Sequence, residues 1–312
     1  MKNKCPFDPD FLKLNRIMGP ILDGDEAATK AAIRYFYSEW DRNVSDDEIK
    51  VTKLSIPSED VQVDIQVLEP KKPLGKQAPC LIYYHGGGFI LPMNTYQFVL
   101  LREYIRGASC KAVCVNYRLA PDVAFPGPFY DCYNTLIWVR QNAEGLGINP
   151  DKIILAGDSA GGLMSAAASL MARDNNLPLP AAQMHFYPGL DPRLNTGSMK
   201  LYTQIPGWNA IITEKVWGLF LKDGDKGMRS YCSPLEAGSL AGLPQAYVET
   251  AEFDCLHDDG INYAEALKKA GVPVELNETK GTVHAYDYIM ENHITKENIA
   301  RRIRYMNKVF GQ

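Results

Sequence analysis

The stretch Ile153-Ile154-Leu155-Ala156-Gly157-Asp158-Ser159-Ala160-Gly161-Gly162 decides the fold. An apolar run leads as a strand into Gly-x-Ser-x-Gly, and Leu163-Met164-Ser165-Ala166-Ala167-Ala168 continues as a helix of small residues. A serine on so abrupt a strand-to-helix turn projects its hydroxyl above the sheet. Glycines two residues to either side are required because side chains there would collide with the neighbouring strand and helix. The helix that follows aims its first amides at any developing anion. The segment predicts Ser159 as a nucleophile. A Gly-rich turn of purely structural use is the plainer alternative.

The surrounding sequence carries the same alternation. Short continuous apolar runs at 80–84, 112–116, 152–156, 183–187, 246–250 and 272–276 are bounded by Gly, Pro or Asp, as parallel strands buried on both faces are. Helical patterns over 131–143 and 160–173 separate some of them, and Ile299, Ile303, Met306 and Phe310 mark the buried stripe of a last helix. Val61, Val63, Ile65 and Val67 alternate with polar residues, which predicts a half-buried strand. The expected class is an α/β fold with a mostly parallel sheet. Ile33, Phe36, Tyr37 and Trp40 give residues 1–45 one helical apolar stripe. Residues 192–230 carry Trp208, Trp217 and Phe220 with no clear strand. Long ordered connections are often functional. These two segments are expected as a helical cap on a catalytic domain spanning 46–312, with simple closure of the core as the alternative.

A second motif lies upstream. Leu81-Ile82-Tyr83-Tyr84 runs straight into His85-Gly86-Gly87-Gly88-Phe89. Acyl transfer builds negative charge on a carbonyl oxygen, and amides unhindered by side chains can be aimed at it. A phosphate loop would need Lys-Ser or Lys-Thr after its glycines, and a dinucleotide fingerprint needs Gly-x-Gly-x-x-Gly; neither is present. His85 is read as serving the loop through hydrogen bonds rather than as a base.

A serine nucleophile needs a base, and the base an orienting acid, in the chain order Ser, Asp or Glu, His. Of the histidines after Ser159, His185 falls in a buried strand, His293 near the surface, and His257 at the start of a helix. His284 sits in Lys280-Gly281-Thr282-Val283-His284-Ala285-Tyr286, read as a loop after the last strand, and is the chosen base. Asp254 leaves the end of the penultimate strand and is the chosen acid. Asp191 is a weaker rival, and Asp258 and Asp259 suit a helix start.

Composition removes other classes. The 312 residues carry 33 Lys+Arg against 37 Asp+Glu, a net charge of −4, which argues against nucleic acid as a partner. No apolar stretch approaches the roughly 18 residues of a membrane span. No signal peptide is evident, and the seven scattered cysteines suit buried thiols better than a disulfide framework, so a cytoplasmic protein is expected. No metal-ligand spacing is found.

These residues together resemble the hormone-sensitive-lipase-like carboxylesterases of the α/β-hydrolase fold. Beyond the two glycine motifs, Asn116-Tyr117-Arg118-Leu119-Ala120-Pro121-Asp122 and Phe125-Pro126 are similar to that family's Asp-Tyr-Arg-Leu-Ala-Pro-Glu element, and Asp254-Cys255-Leu256 to its Asp-Pro-Leu. The resemblance implies an eight-stranded sheet, a helical cap, no cofactor, and oxyanion donors at Gly86, Gly87 and Ala160. Asn116, Cys255 and Leu163 depart from the common pattern, and Leu163 bears on the pocket. The expected activity is hydrolysis of short-chain acyl esters through an acyl-enzyme, with a small-molecule ester as the partner. A homodimer is compatible with the sequence, which does not encode the oligomeric state. Deacetylation of acetylated sugars or aryl amides is the alternative chemistry. A non-catalytic receptor is a third reading, and the presence of His284 argues against it. Short chains are expected because the segments able to form a lid are rich in charge, and because Leu163 and Met164 would close the space behind the nucleophile.

Overall fold

The computed structural model describes residues 6–15 and 47–312. Eight strands form one sheet: β1 (Ile49–Ser58), β2 (Val61–Pro70), β3 (Ala78–Tyr84), β4 (Lys111–Val115), β5 (Ile148–Asp158), β6 (Ala182–Phe186), β7 (Ala246–Phe253) and β8 (Val274–Val283). Their order is β1-β2-β4-β3-β5-β6-β7-β8. β1 and β2 pair antiparallel, as do β2 and β4, and every other pairing is parallel.

Burial follows from what covers each strand. β3 and β6 are buried along their whole length, as continuous apolar runs demand. β2 is more mixed than simple alternation predicts. Val63, Ile65 and Val67 are buried as expected, but Val61 is exposed beside the hairpin turn, and Gln66 and Leu68 are buried on the opposite face. β1 went unread in the sequence, for only three of its positions are buried. β8 begins two residues later than its apolar run and continues through polar residues to Val283, because most of its side chains are only half-buried or exposed.

The longer helices are α1 (Thr95–Gly107), α2 (Gly127–Gln141), α3 (Ala160–Asp174), α4 (Ala210–Phe220), α5 (His257–Lys269) and α6 (His293–Phe310). Phe129 and Leu136 of α2, Leu163 of α3 and Leu267 of α5 belong to one core layer. Phe98 and Leu101 of α1, with Ile299, Met306 and Phe310 of α6, belong to the layer on the other face. The sheet is therefore covered on both sides, which is why its central strands carry no polar face. The stripe Ile33, Phe36, Tyr37 and Trp40 lies outside the described residues. The short helical turn Pro9–Lys13 places Phe11 in the second layer, edge-on to Tyr286 at 5.9 Å, and the Asp8 amide donates to the Gly281 carbonyl. The six described cysteines are free and buried.

One buried polar network ties α6 to the sheet. Arg302 is wholly buried; its Nη1 donates to Asp287 Oδ2 and Tyr104 Oη, each at 2.7 Å, and its Nη2 and Nε pair with Glu249 on β7. Tyr286 Oη donates to Glu249 Oε1 at 2.8 Å, and Tyr187 Oη to Asp287 Oδ1 at 2.6 Å. Burial alone would raise the Glu249 pKa, but the Arg302 charge prevails and lowers it. Through Tyr286 and Asp287 this network holds the segment that follows His284.

Candidate active site

Ser159 stands between β5 and α3 with φ 52° and ψ −116°, a conformation that L-residues seldom adopt. The neighbouring glycines make it attainable. A Cβ at Gly157 would lie 2.2 Å from the Gly161 carbonyl oxygen, and one at Gly161 would lie 1.9 Å from that of Tyr84. No side chain fits at either place, which is the collision that the sequence motif predicts. The Ser159 amide is tied to the Phe186 carbonyl at the end of β6, at 2.9 Å.

The structure brings the three side chains singled out from the sequence together. His284 Nε2 lies 2.9 Å from Ser159 Oγ, and His284 Nδ1 lies 2.7 Å from Asp254 Oδ2. Asp254 follows β7 directly, and its other oxygen accepts from the Leu256 amide at 2.9 Å. A carboxylate only accepts, so the proton sits on Nδ1 and leaves the Nε2 lone pair facing the serine hydroxyl. β8 runs on through Lys280 to Val283, and His284 stands in the turn directly after it, where Ala285 has φ 58°. The Tyr187 ring packs edge-on against the imidazole at 4.9 Å, and Trp208 tilts over it at 6.0 Å. Ser159, Asp254 and His284 are all buried.

The rival residues are elsewhere. His185 is bonded to Ser165 Oγ and Gln183, and burial pushes its imidazole down to about 3, so it is a neutral core residue. His257 faces Asp258 on the first turn of α5, and His293 begins α6 in solvent. Asp191 is paired with Arg193.

The glycine loop after β3 departs from what the resemblance implies for Gly86. The Gly86 amide donates to Asp158 Oδ1 at 2.8 Å, so it is already committed and does not face the serine. Among the described residues the Gly87 and Gly88 amides have no protein acceptor, and both glycines line cavities that open onto Ser159. Ala160 is the first residue of α3, where an amide has no intrahelical partner. The free donors are thus Gly87, Gly88 and Ala160. Asp158 itself escaped the sequence reading. Its carboxylate also accepts from Tyr83 Oη at 2.6 Å and Gln97 Nε2 at 3.0 Å, binding the nucleophile strand to the loop. Burial raises its pKa, opposed by these donors. Its place within Gly-x-Ser-x-Gly, next to the nucleophile, was the available signal.

His85 behaves as the sequence suggests. Burial lowers its pKa to about 4, its ring stacks on Tyr117 at 4.1 Å, and its Nδ1 donates to the Gly86 carbonyl at 2.7 Å.

Two small cavities flank Ser159. One, of about 20 Å³, is bounded by His284, Leu91, Asn94 and Tyr288. The other, of about 10 Å³, is bounded by Ala160, Phe89, Val216, Trp217 and Leu256. Each has room for about one water molecule. Trp208 lines both. Leu163 and Met164 line neither, and both are buried in the core layer. The cavity on the Ala160 side is bounded by Val216 and Trp217 of α4 and by Leu256, not by the two residues expected to close it. Cys255, the departure beside the acid, is buried with Sγ 3.4 Å from Thr213 Oγ1.

Comparison with known proteins agrees with this geometry. A family model described as the α/β hydrolase fold matches residues 81–288. The chain is 38% identical over 236 residues, 75% of its length and 76% of the relative's, to an arylesterase of Saccharolobus solfataricus. It is 32% identical over 290 residues, 91% and 88% of the two chains, to the esterase LipI of Mycobacterium tuberculosis. A solved bacterial heroin esterase superposes with a TM-score of 0.86 at 31% identity, covering 98% of each chain. Sheet order, nucleophile turn and relatives converge: the chain belongs to the α/β-hydrolase family, as a serine carboxylesterase of its hormone-sensitive-lipase-like branch.

Proposed function

We propose that this carboxylesterase hydrolyses short-acyl esters in two steps, through an acyl-enzyme on Ser159. The observation that carries the reading is the buried hydrogen-bonded line from Asp254 through His284 to Ser159 Oγ. In the first step Ser159 Oγ attacks the carbonyl carbon while its proton passes to His284 Nε2. Asp254 holds the ring in the tautomer that can accept it and stabilises the imidazolium that forms. The oxyanion is held by the amides of Gly87, Gly88 and Ala160, each such donor being worth about 3–4 kcal/mol of barrier. The carbon–oxygen bond to the alcohol then breaks as His284 returns the proton to the leaving oxygen. Water repeats the sequence on the acyl-enzyme, releasing the acid and restoring Ser159.

The leaving oxygen must receive its proton from His284, so the alcohol part occupies the cavity on the His284 side. The acyl chain then takes the cavity on the Ala160 side. That cavity is small and is lined by Val216, Trp217 and Leu256, which supports short chains. The arylesterase relative supports esters of aromatic alcohols as substrates. Residues 192–230, which place Trp208 over His284, serve as a cap of this site. Among the described residues no helix is long and apolar enough to cross a membrane, and the buried free thiols suit a reducing compartment, which supports a cytoplasmic enzyme.

The reading is tested by kcat/KM across p-nitrophenyl esters of increasing acyl length. Each methylene that fits gains about 0.8 kcal/mol, and a closed pocket soon loses more by clash. The values should rise from acetyl to butyryl or hexanoyl and fall steeply beyond. Highest kcat/KM on dodecanoyl esters, below the concentration of micelle formation, would overturn the short-acyl assignment.

A further inference from the structure

Trp208 is the only side chain besides Ser159 that lines both cavities among the described residues. It is 3% exposed, and its indole Nε1 donates to Thr213 Oγ1 at 2.8 Å, so the ring is fixed from α4. Thr213 in turn donates to the Asn209 carbonyl at 2.9 Å, which leaves its oxygen as the acceptor for the indole. Two glycines let the ring settle onto the catalytic groups. A Cβ at Gly88 would lie 2.6 Å from Trp208 Cη2, and Gly207, with φ 84°, brings the backbone so close that a Cβ there would lie 3.1 Å from the His284 carbonyl oxygen. The indole is thus clamped between the oxyanion loop and His284, above Ser159.

We propose that Trp208 is the specificity-determining partition of this esterase, a single wall that limits the acyl chain on one side and the alcohol on the other. The proposal rests on the catalytic reading above and deepens it. The two sides differ in chemistry. The acyl side presents Phe89, Val216, Trp217 and Leu256, with Thr213 Oγ1 already engaged by the indole, so it suits an unbranched saturated chain. The alcohol side presents Asn94 and the Tyr288 hydroxyl, joined at 3.2 Å, so it suits an alcohol carrying a hydrogen-bonding group or an aromatic ring. Because one ring bounds both, acyl length and alcohol size are coupled. Truncating Trp208 joins the cavities and relaxes both limits together, whereas truncating Leu256, which lines the acyl side alone, relaxes only the first.

The test compares wild type, Trp208→Ala and Leu256→Ala on two substrate ratios: octanoyl over butyryl p-nitrophenyl ester, and 1-naphthyl over phenyl acetate. Each methylene given apolar room gains about fourfold, so Trp208→Ala should raise the octanoyl-to-butyryl ratio of kcat/KM by at least about tenfold. It should raise the naphthyl-to-phenyl ratio as well, while Leu256→Ala raises the acyl ratio alone. Labelling of Ser159 by an organophosphate is followed in every variant. A Trp208→Ala protein that labels fully at Ser159 yet keeps both ratios within about twofold of wild type overturns the partition and leaves the catalytic reading standing. Activity that survives Ser159→Ala overturns the catalytic reading instead. Should Trp208→Ala fail to fold, Trp208→Leu is read by the same two ratios with the same outcomes.

Discussion

Asp158 stands immediately before the nucleophile with its carboxylate turned away from the reacting groups and towards three donors, Tyr83 Oη, the Gly86 amide and Gln97 Nε2. An amide in its place cannot satisfy them all. Gln97 Oε1 is already occupied by the Asn94 amide, so an Asp158→Asn side chain would set its NH₂ group against that of Gln97. The loop bearing Gly87 and Gly88 would lose part of its anchor, and their donors would shift by fractions of an ångström. Since losing one oxyanion donor outright costs about a hundredfold or more, Asp158→Asn should lower kcat about tenfold while KM changes by less than about threefold. Steady-state kinetics on a butyryl ester check this. An unchanged kcat in a folded variant would show that the carboxylate does not position the loop.

At the scale of elements, the buried Arg302 on α6 fastens both β7, through Glu249, and the segment after His284, through Asp287. Removing Arg302 leaves the Glu249 and Asp287 carboxyls in the interior without their cation, at a cost of about 3–5 kcal/mol. Arg302→Met should therefore lower the urea unfolding free energy by that amount; a loss under about 1 kcal/mol would mean that the network adds little. Arg302 also marks a limit of sequence reading. It sits on the buried face of α6 between Ile299 and Met306, where an apolar stripe gives no hint of a charge. The elbow and the central strands were legible because each is a local pattern of strand, tight turn and helix, whereas Asp254 and His284 could be chosen only by their places after successive strands. β1 was not, since its packing is one-sided and sparse. α1 went unread although its start is written in the sequence, where Asn94 and Gln97 form a capping box. The allotment of amides in the glycine loop was illegible for another reason. Whether Gly86 or Gly88 faces the serine depends on Asp158, 72 residues away, reaching across the sheet.

For the whole molecule, the sheet is the device that makes a site out of distant residues. Ser159, Asp254 and His284 each follow the carboxyl end of a parallel strand, β5, β7 and β8, and β3 delivers the glycine loop to the same edge. Ligands in open α/β sheets bind at that edge because the strand ends and helix starts converge there. The cavities beside Ser159, the tautomer of His284 and the clamped Trp208 all depend on that convergence, and the reaction proposed for them is covalent chemistry on Ser159. Mass spectrometry of the protein treated with diethyl p-nitrophenyl phosphate tests it most directly, since displacement of p-nitrophenolate leaves a stable diethylphosphoryl group on the attacking oxygen. One label per chain is expected, on the peptide containing Ser159, with activity lost in proportion to labelling and the rate of labelling reduced by orders of magnitude in His284→Ala. Complete inactivation with the label on another residue, or full activity in a chain labelled at Ser159, would contradict it.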